Sequence, residues 1–365
     1  MMLQFFPSRT LTWYLAKLFV GRIVAVLLML VLVLQALDLL SESGKILGVA
    51  GNDQSDLWHY ASLRIPQLVA RFLPYSVLLA TIITLATLNQ NSEVIAMKAS
   101  GMSAHQVLAP LLMTAALVSA ISFVFNERVV TRSTAALKAW QAVEYKAIPK
   151  DPATRTNVYF RDGTNILAAG AVSGSGAATV MENVTWYRRD ANGMVVEQLR
   201  SPRATFAGPG WTLVSPVRFD VASTVRTELP TRVVAKDVTP AQVAITKVDP
   251  DAQDAITLYR SIQAMKAAGQ RTSELEGKWW HKFSGPLSAL LMPLLGAIAA
   301  FGLARSGQLL IRAVLGMALG FAYFVVDNAA LAMGNFGAYP PLIAAWAPFV
   351  LFALIGETVL VRTEE

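Results

Sequence analysis

The chain contains no cysteine, which removes disulfide staples, thiolate metal sites and cysteine nucleophiles together. Charge is scarce as well: Asp, Glu, Lys and Arg make up 15% of the residues, against about 25% in an ordinary soluble domain. The three histidines, His59, His105 and His281, form no His-Glu-x-x-His pair, so a helical zinc centre has no ligands. Gly44-Lys45 and Gly277-Lys278 lack the following hydroxyl residue and the upstream glycine of a phosphate-cradling loop, so ATP is not bound in that manner. No Gly-x-Ser-x-Gly nucleophile elbow occurs either. Asp38 and Asp327 are candidates for an intramembrane polar dyad, but no protease motif accompanies them, and Asp327 is read as a structural hydrogen-bonding group between helices.

What is abundant is apolar sequence, 54% of the chain with a mean hydropathy of +0.47, the signature of an integral membrane protein. A helix needs about 20 apolar residues to cross the hydrocarbon. Six stretches qualify: Thr12–Leu40, Arg71–Leu88, Gln106–Phe125, Phe283–Leu303, Ile311–Leu331 and Leu342–Leu360. The first is too long for a signal peptide and no small-residue cleavage site follows it, so it reads as an anchor. The predicted fold is therefore a bundle of six transmembrane helices, residues 1–127 and 279–365, interrupted by a polar insert at 128–278.

Lys and Arg in short loops set the orientation. Both termini in the cytoplasm puts Arg9, Lys17, Lys98, Arg305, Arg312 and Arg362 inside. Lys45, Arg64 and Arg71 then lie on the other side, with the insert, which in a Gram-negative cell is the periplasm. The insert carries 20 Lys and Arg against 14 Asp and Glu, six of the seven excess positive charges of the chain. A mildly basic domain beside a bilayer suits anionic lipid or glycolipid, and no nucleic-acid partner is expected.

Within the insert, short alternating segments separated by turn residues predict strands. They fall at 157–161, 165–169, 180–189, 195–199, 204–206, 211–214, 217–221 and 232–235, with hairpin signals at Asp162-Gly163 and Asn192-Gly193. Eight strands within about 150–245 predict a sandwich or jellyroll. Helical stretches at Ala135–Ala147 and Ile256–Ala268 flank it, the second stopped by Gly269.

The loop after the second span reads as a short amphipathic helix within about 90–101. Ser92 is of the N-capping type, helix formers run through Ala99, and Gly101 stops it. Val94, Met97 and Ile95 are its apolar face, and Glu93 puts a charge at its start.

This segment, Ser92-Glu-Val-Ile-Ala-Met-Lys-Ala-Ser-Gly101, resembles the corresponding Ser-Glu-Leu-x-x-Met-x-Ala-Ser-Gly stretch of the LptF/LptG permease family, the transmembrane subunits of the lipopolysaccharide export ABC transporter. Lys266-Ala-Ala-Gly-Gln with Trp280-x-Lys282-x-x-x-Pro286-Leu-Ser resembles the approach to that family's fourth span. Phe301-Gly-x-x-Arg305 resembles its next connection. Gly320-Phe-x-Tyr-Phe-Val-x-Asp327 and Tyr339-Pro-Pro-Leu-Ile-x-Ala-x-Ala-Pro348 resemble its last two spans. Phe301-Gly302, Asp327 and Leu37-Asp38 are nearer to one of the family's two paralogous branches than to the other.

The resemblance implies a bacterial inner-membrane, multi-pass permease subunit with a periplasmic β-jellyroll between its third and fourth spans. Its implied partners are an LptF-type permease, a dimer of the ATPase LptB, LptC and the LptA bridge, with lipopolysaccharide as cargo and membrane lipid around it. No cofactor is expected in this chain, since ATP and magnesium are bound by the partner ATPase. Ser92, Glu93, Val94, Met97, Lys98 and Gly101 would couple to that ATPase. Lys45, Arg128, Arg132 and Lys138 would form a basic rim for the lipid's phosphates. Gln35, Ser41 and Glu42 stand where relatives carry lysines, and Gln141 and Thr131 replace a usual arginine and proline. Gly21, Gly316 and Gly320 would pack the lateral gate, small residues allowing close helix approach. The alternatives are the other paralogous branch, and a membrane-anchored periplasmic interaction module without transport.

Overall fold

The computed structural model of the protein describes residues 7–147, 155–174, 178–240, 243, 248–267, 270–301 and 309–362. It divides into two compact units, Met1–Ala147 with Asp249–Glu365, and Ile148–Val248.

The first unit is helical: α1 (Arg9–Leu47), α2 (Gln54–Gln90), α3 (Glu93–Ala99), α4 (Ala104–Phe125), α5 (Thr131–Ala142), α6 (Ala255–Ala267), α7 (Ser273–Phe301), α8 (Leu309–Asn335) and α9 (Pro341–Arg362). Among the described residues, five stretches are long and apolar enough to cross a membrane: Arg9–Leu47, Gln54–Gln90, Ala104–Ala142, Val314–Asn335 and Pro341–Arg362. The fourth expected span falls on α7, a helix of 29 residues, and its last two residues lie outside the described set, as do Arg305 and the helix-stopping Gly269.

Two helices start on reciprocal caps that satisfy otherwise orphaned N–H groups. Asp53 and Asp56 cap α2, and Ser103 and Gln106 cap α4. The core joins Phe19 of α1, Val77, Leu78 and Leu85 of α2, Leu108 and Leu111 of α4, Met292 and Leu295 of α7, Tyr323 of α8 and Phe352 of α9. Helix α7 sits at its centre, packed on α2, α4, α8 and α9. Ser119 of α4 donates to the Pro286 carbonyl of α7 at 2.8 Å. Outward, α1 shows Val24, Leu28, Leu32, Leu37 and Leu40, the apolar exterior that a lipid environment requires.

One expected boundary moves. The third span does not end at Phe125 before a separate helix at Ala135–Ala147. A π-helical turn, Asn126–Val130, carries α4 into α5, and α5 stops at Ala142. The polar run Asn126-Glu127-Arg128 resembles a helix end, yet its groups are satisfied inside the rod. The Asn126 amide donates to the Ser122 carbonyl, and Glu127 is claimed by α6 and α7.

The second unit is an antiparallel sheet, β1 (Arg155–Asp162), β2 (Asn165–Ser173), β3 (Val180–Arg189), β4 (Val195–Phe206), β5 (Trp211–Val214), β6 (Val217–Asp220), β7 (Arg226–Glu228) and β8 (Arg232–Val234). The order is β1-β2-β3-β4-β5-β8, with β6 on β4 and β7 on β6. Segments expected as two strands, 195–199 and 204–206, are one strand, and β7 was not foreseen. The break expected at Pro202 is absorbed by a local irregularity. Glu182 pairs with Arg203 and Val184 with Ser201, while the intervening Asn183 has φ 50°. A proline cannot donate to the ladder, so it is tolerated at such a site. Before it β4 pairs with β6, after it with β5. The sheet thereby folds around a core of Leu167, Val184, Trp186, Leu199, Trp211 and Leu213, as the expected jellyroll does. Trp211 is fully buried, its indole N–H donating to the Val238 carbonyl at 2.7 Å.

Candidate functional site

Helix α3 lies in the connection between α2 and α4. Val94 and Met97 are buried against the bundle, as expected, whereas Ile95 is 56% exposed and not part of the apolar face. Residues three apart share a face of a short helix and adjacent ones do not, so Ile95 points outward. Ser92 is not a side-chain cap. Its backbone is left-handed, φ 60° and ψ 12°, and its hydroxyl makes no capping hydrogen bond. The start of α3 is organised instead around Glu93. That carboxylate accepts from the Tyr14 hydroxyl of α1 at 3.2 Å and from the Asn91 amide at 3.2 Å. Nearby, Arg22 donates to the Ile83 carbonyl at 3.0 Å, fastening α1 to α2. Lys98 is on the exposed side. Gly101 closes the turn at φ 87°, a conformation that favours glycine. The geometry is an outward-facing turn of helix, held by two buried apolar residues and tied to α1 through a carboxylate.

At the other ends of α1 and α5 the four expected basic residues separate into two pairs. Arg128 and Arg132 are exposed and successive on one helical side, and neither is printed with an acidic partner among the described residues. Lys45 is paired with Glu42 at 2.8 Å, and Lys138 with Asp249. Lys45 also borders a cavity of about 980 Å³, lined further by Glu42, Gln141, Glu144, Tyr145 and Lys146.

That end is closed by contacts no sequence pattern announces. Tyr145 donates to Glu42 at 2.8 Å, and the Asn52 amide donates to the carbonyls of Ile46 and Tyr145 at 3.0 Å. Burial pushes the Tyr145 hydroxyl up from the ordinary tyrosine range. Asp38 faces protein: Arg64 forks onto its two oxygens at 3.1 Å, and Tyr60 donates at 2.6 Å. Charged residues at complementary places on neighbouring spans are the signal that could have found this pair.

Glu127 is a second node, with side-chain exposure of 15%. It accepts from the Ala255 N–H at the start of α6 and from Lys282 of α7 at 3.3 Å. Asp327 makes no interhelical hydrogen bond of the expected kind. Its Oδ2 lies 3.8 Å from His281 Nε2, and its buried Oδ1 has no hydrogen-bond partner among the described residues. The two elements present a carboxyl and an imidazole side by side, just beyond bonding reach.

The three glycines do not come together. Gly21 is exposed with open space beside it, and a Cβ on Gly320 would collide with Leu78 of α2. Gly316 is buried on α8.

A multi-pass helical bundle with an antiparallel β-unit inserted in its sequence, and a short amphipathic helix presented between spans, defines a membrane protein of permease type. The family model described as lipopolysaccharide export system permease LptF/LptG matches residues 13–362. The chain belongs to that family. It is 25% identical over 369 residues to the lipopolysaccharide export system permease protein LptG of Escherichia coli strain K12, covering 98% of this chain and 99% of that protein. It is 22% identical over 355 residues to the protein of the same name from Haemophilus influenzae, covering 95% and 96%.

Proposed function

We propose that the chain is the LptG-type permease subunit of an ABC transporter that extracts lipopolysaccharide from the inner membrane and hands it to a periplasmic bridge. The observation that carries this reading is α3. A seven-residue helix between two spans that buries only Val94 and Met97 leaves the rest of its surface for a partner. The partner is a separate ATPase dimer of the LptB type, which binds ATP and magnesium. Glu93 is its contact charge, positioned by Tyr14 and Asn91, with Lys98 and Gly101 beside it. Both termini and α3 are cytoplasmic in this reading, and the β-unit is periplasmic, where LptC and the LptA bridge receive the lipid. An LptF-type permease completes the cavity, with Gly21, Gly316 and Gly320 at its gate. Arg128 and Arg132 are the phosphate contacts of first rank because they have no acidic neighbour to displace. Lys45 and Lys138 exchange existing ion pairs for the substrate.

Glu93→Ala tests the reading. Truncating one partner of a hydrogen-bonded charge pair at an interface costs about 2–5 kcal/mol. Association with the purified ATPase should therefore weaken by about thirtyfold or more, and export in reconstituted vesicles should fall with it. Normal copurification and full-rate export would remove the coupling role.

A further inference from the structure

In the β-unit, three arginines surround one carboxylate on the inner face of the sheet. Glu197 of β4 is 2% exposed and pairs with Arg188 of β3 at 2.8 Å, Arg218 of β6 at 3.0 Å and Arg232 of β8 at 3.2 Å. The register puts all four on the core side. Glu197 stands opposite Arg188, Leu199 opposite Arg218 and Leu213 opposite Arg232, and both leucines are fully buried. The apolar interior thus ends in a ring of guanidinium groups, one residue pair beyond Trp186 and Leu199.

One arginine would neutralise Glu197, and the other two exceed what burying that carboxylate requires. The three side chains remain 48%, 38% and 44% exposed. Asp220 reaches Arg218 at 3.4 Å while its other oxygen is held by Ser223, so positive charge is still in excess. Arg218 Nε is buried without a hydrogen bond among the described residues, an unmet donor of the kind that marks a site awaiting an acceptor. Three planar forks converging on one point suit a compact oxyanion better than the spaced carboxylates of a peptide.

We propose that Arg188, Arg218 and Arg232 form a binding site for a phosphate group, with Glu197 acting as the resident counter-ion that keeps the arginines assembled when the site is empty. The apolar wall beside it admits a phosphorylated amphiphile as well as a free anion. The site is independent of the transport reading, since it needs neither an ATPase nor a gate.

The test is arginine footprinting with phenylglyoxal on the full-length protein in nanodiscs, read by mass spectrometry. One arm adds inorganic pyrophosphate to phosphatidylcholine discs, and the other uses discs containing bis-phosphorylated lipid A. The three arginines should react about tenfold more slowly with anion bound, the factor expected for a charge-assisted hydrogen bond, while Arg161 of β1 is unaffected. Protection in the lipid arm alone assigns a membrane amphiphile; protection with pyrophosphate alone assigns a soluble anion. Both outcomes support the site. Glu197→Gln removes the competing negative charge and should tighten binding, whereas Arg188→Gln should weaken it with the melting temperature retained. No protection in either arm, or weaker binding in Glu197→Gln, overturns the proposal.

Discussion

Glu127 shows how much one side chain can carry at a junction of helices. Its two oxygens hold the first N–H of α6 and the ammonium of Lys282, both in partial burial. Removing one partner of a buried ion pair leaves the other uncompensated, at about 3–5 kcal/mol. Glu127→Ala should therefore lower the melting temperature in detergent by several degrees, while Glu127→Gln, which keeps the acceptor for Ala255, should recover part of the loss. In the β-unit, Trp211→Phe keeps the ring and deletes the donor to Val238. An orphaned buried carbonyl costs about 1–3 kcal/mol, and chemical denaturation should show a loss of that size. Asp220 responds to pH. The Ser223 N–H, then its hydroxyl, holds the Asp220 carboxyl below the ordinary aspartate range. A depressed folded value means that the turn after β6 has this support at neutral pH, and loses it as the pH falls through that value. Hydrogen exchange at residues 221–226 should accelerate in acid, and Asp220→Asn should flatten the dependence.

At the scale of elements, α3 is held by few contacts, and its C-terminal turn depends on backbone shape. Gly101 at φ 87° makes Gly101→Ala a strained change of about 1–2 kcal/mol. Association with the ATPase should drop while the assembled bundle stays folded, as measured by copurification and circular dichroism together. The helix itself was legible in the order of residues, because Val94 and Met97 recur at helical spacing beside a glycine stop. Its cap was not. Ser92 is of the right type, but the left-handed backbone needed to leave α2 at Asn91 turns the hydroxyl away, a tertiary demand that overrides local preference. The strands were legible through alternation and Asn192-Gly193, yet the join across Pro202 was hidden, since an irregularity in β3 is what accommodates it. Of the basic residues, type and approximate place could be read. Which were already neutralised could not, because Asp249 lies 111 residues from Lys138 in the chain.

For the whole molecule, the proposed substrate rim rests on Arg128 and Arg132. Reversing both to glutamate should abolish crosslinking to lipopolysaccharide with ATPase association intact, whereas reversing Lys138 should also break the contact with Asp249 and cost stability. Both arginines sit in or just after the π-helical turn that joins α4 to α5, and this gives the rod a property of its own. A π-turn houses one residue more than the α-helix around it, so the two halves are angularly offset. Deleting a single residue from Asn126–Val130 would restore continuous winding and rotate α5 about its axis by about 100°. The hydrophobic seam of Leu137 and Trp140 would then swing out of its groove with the backbone still fully helical. The extra residue works as an indexing notch, setting which side of the rod meets its neighbours.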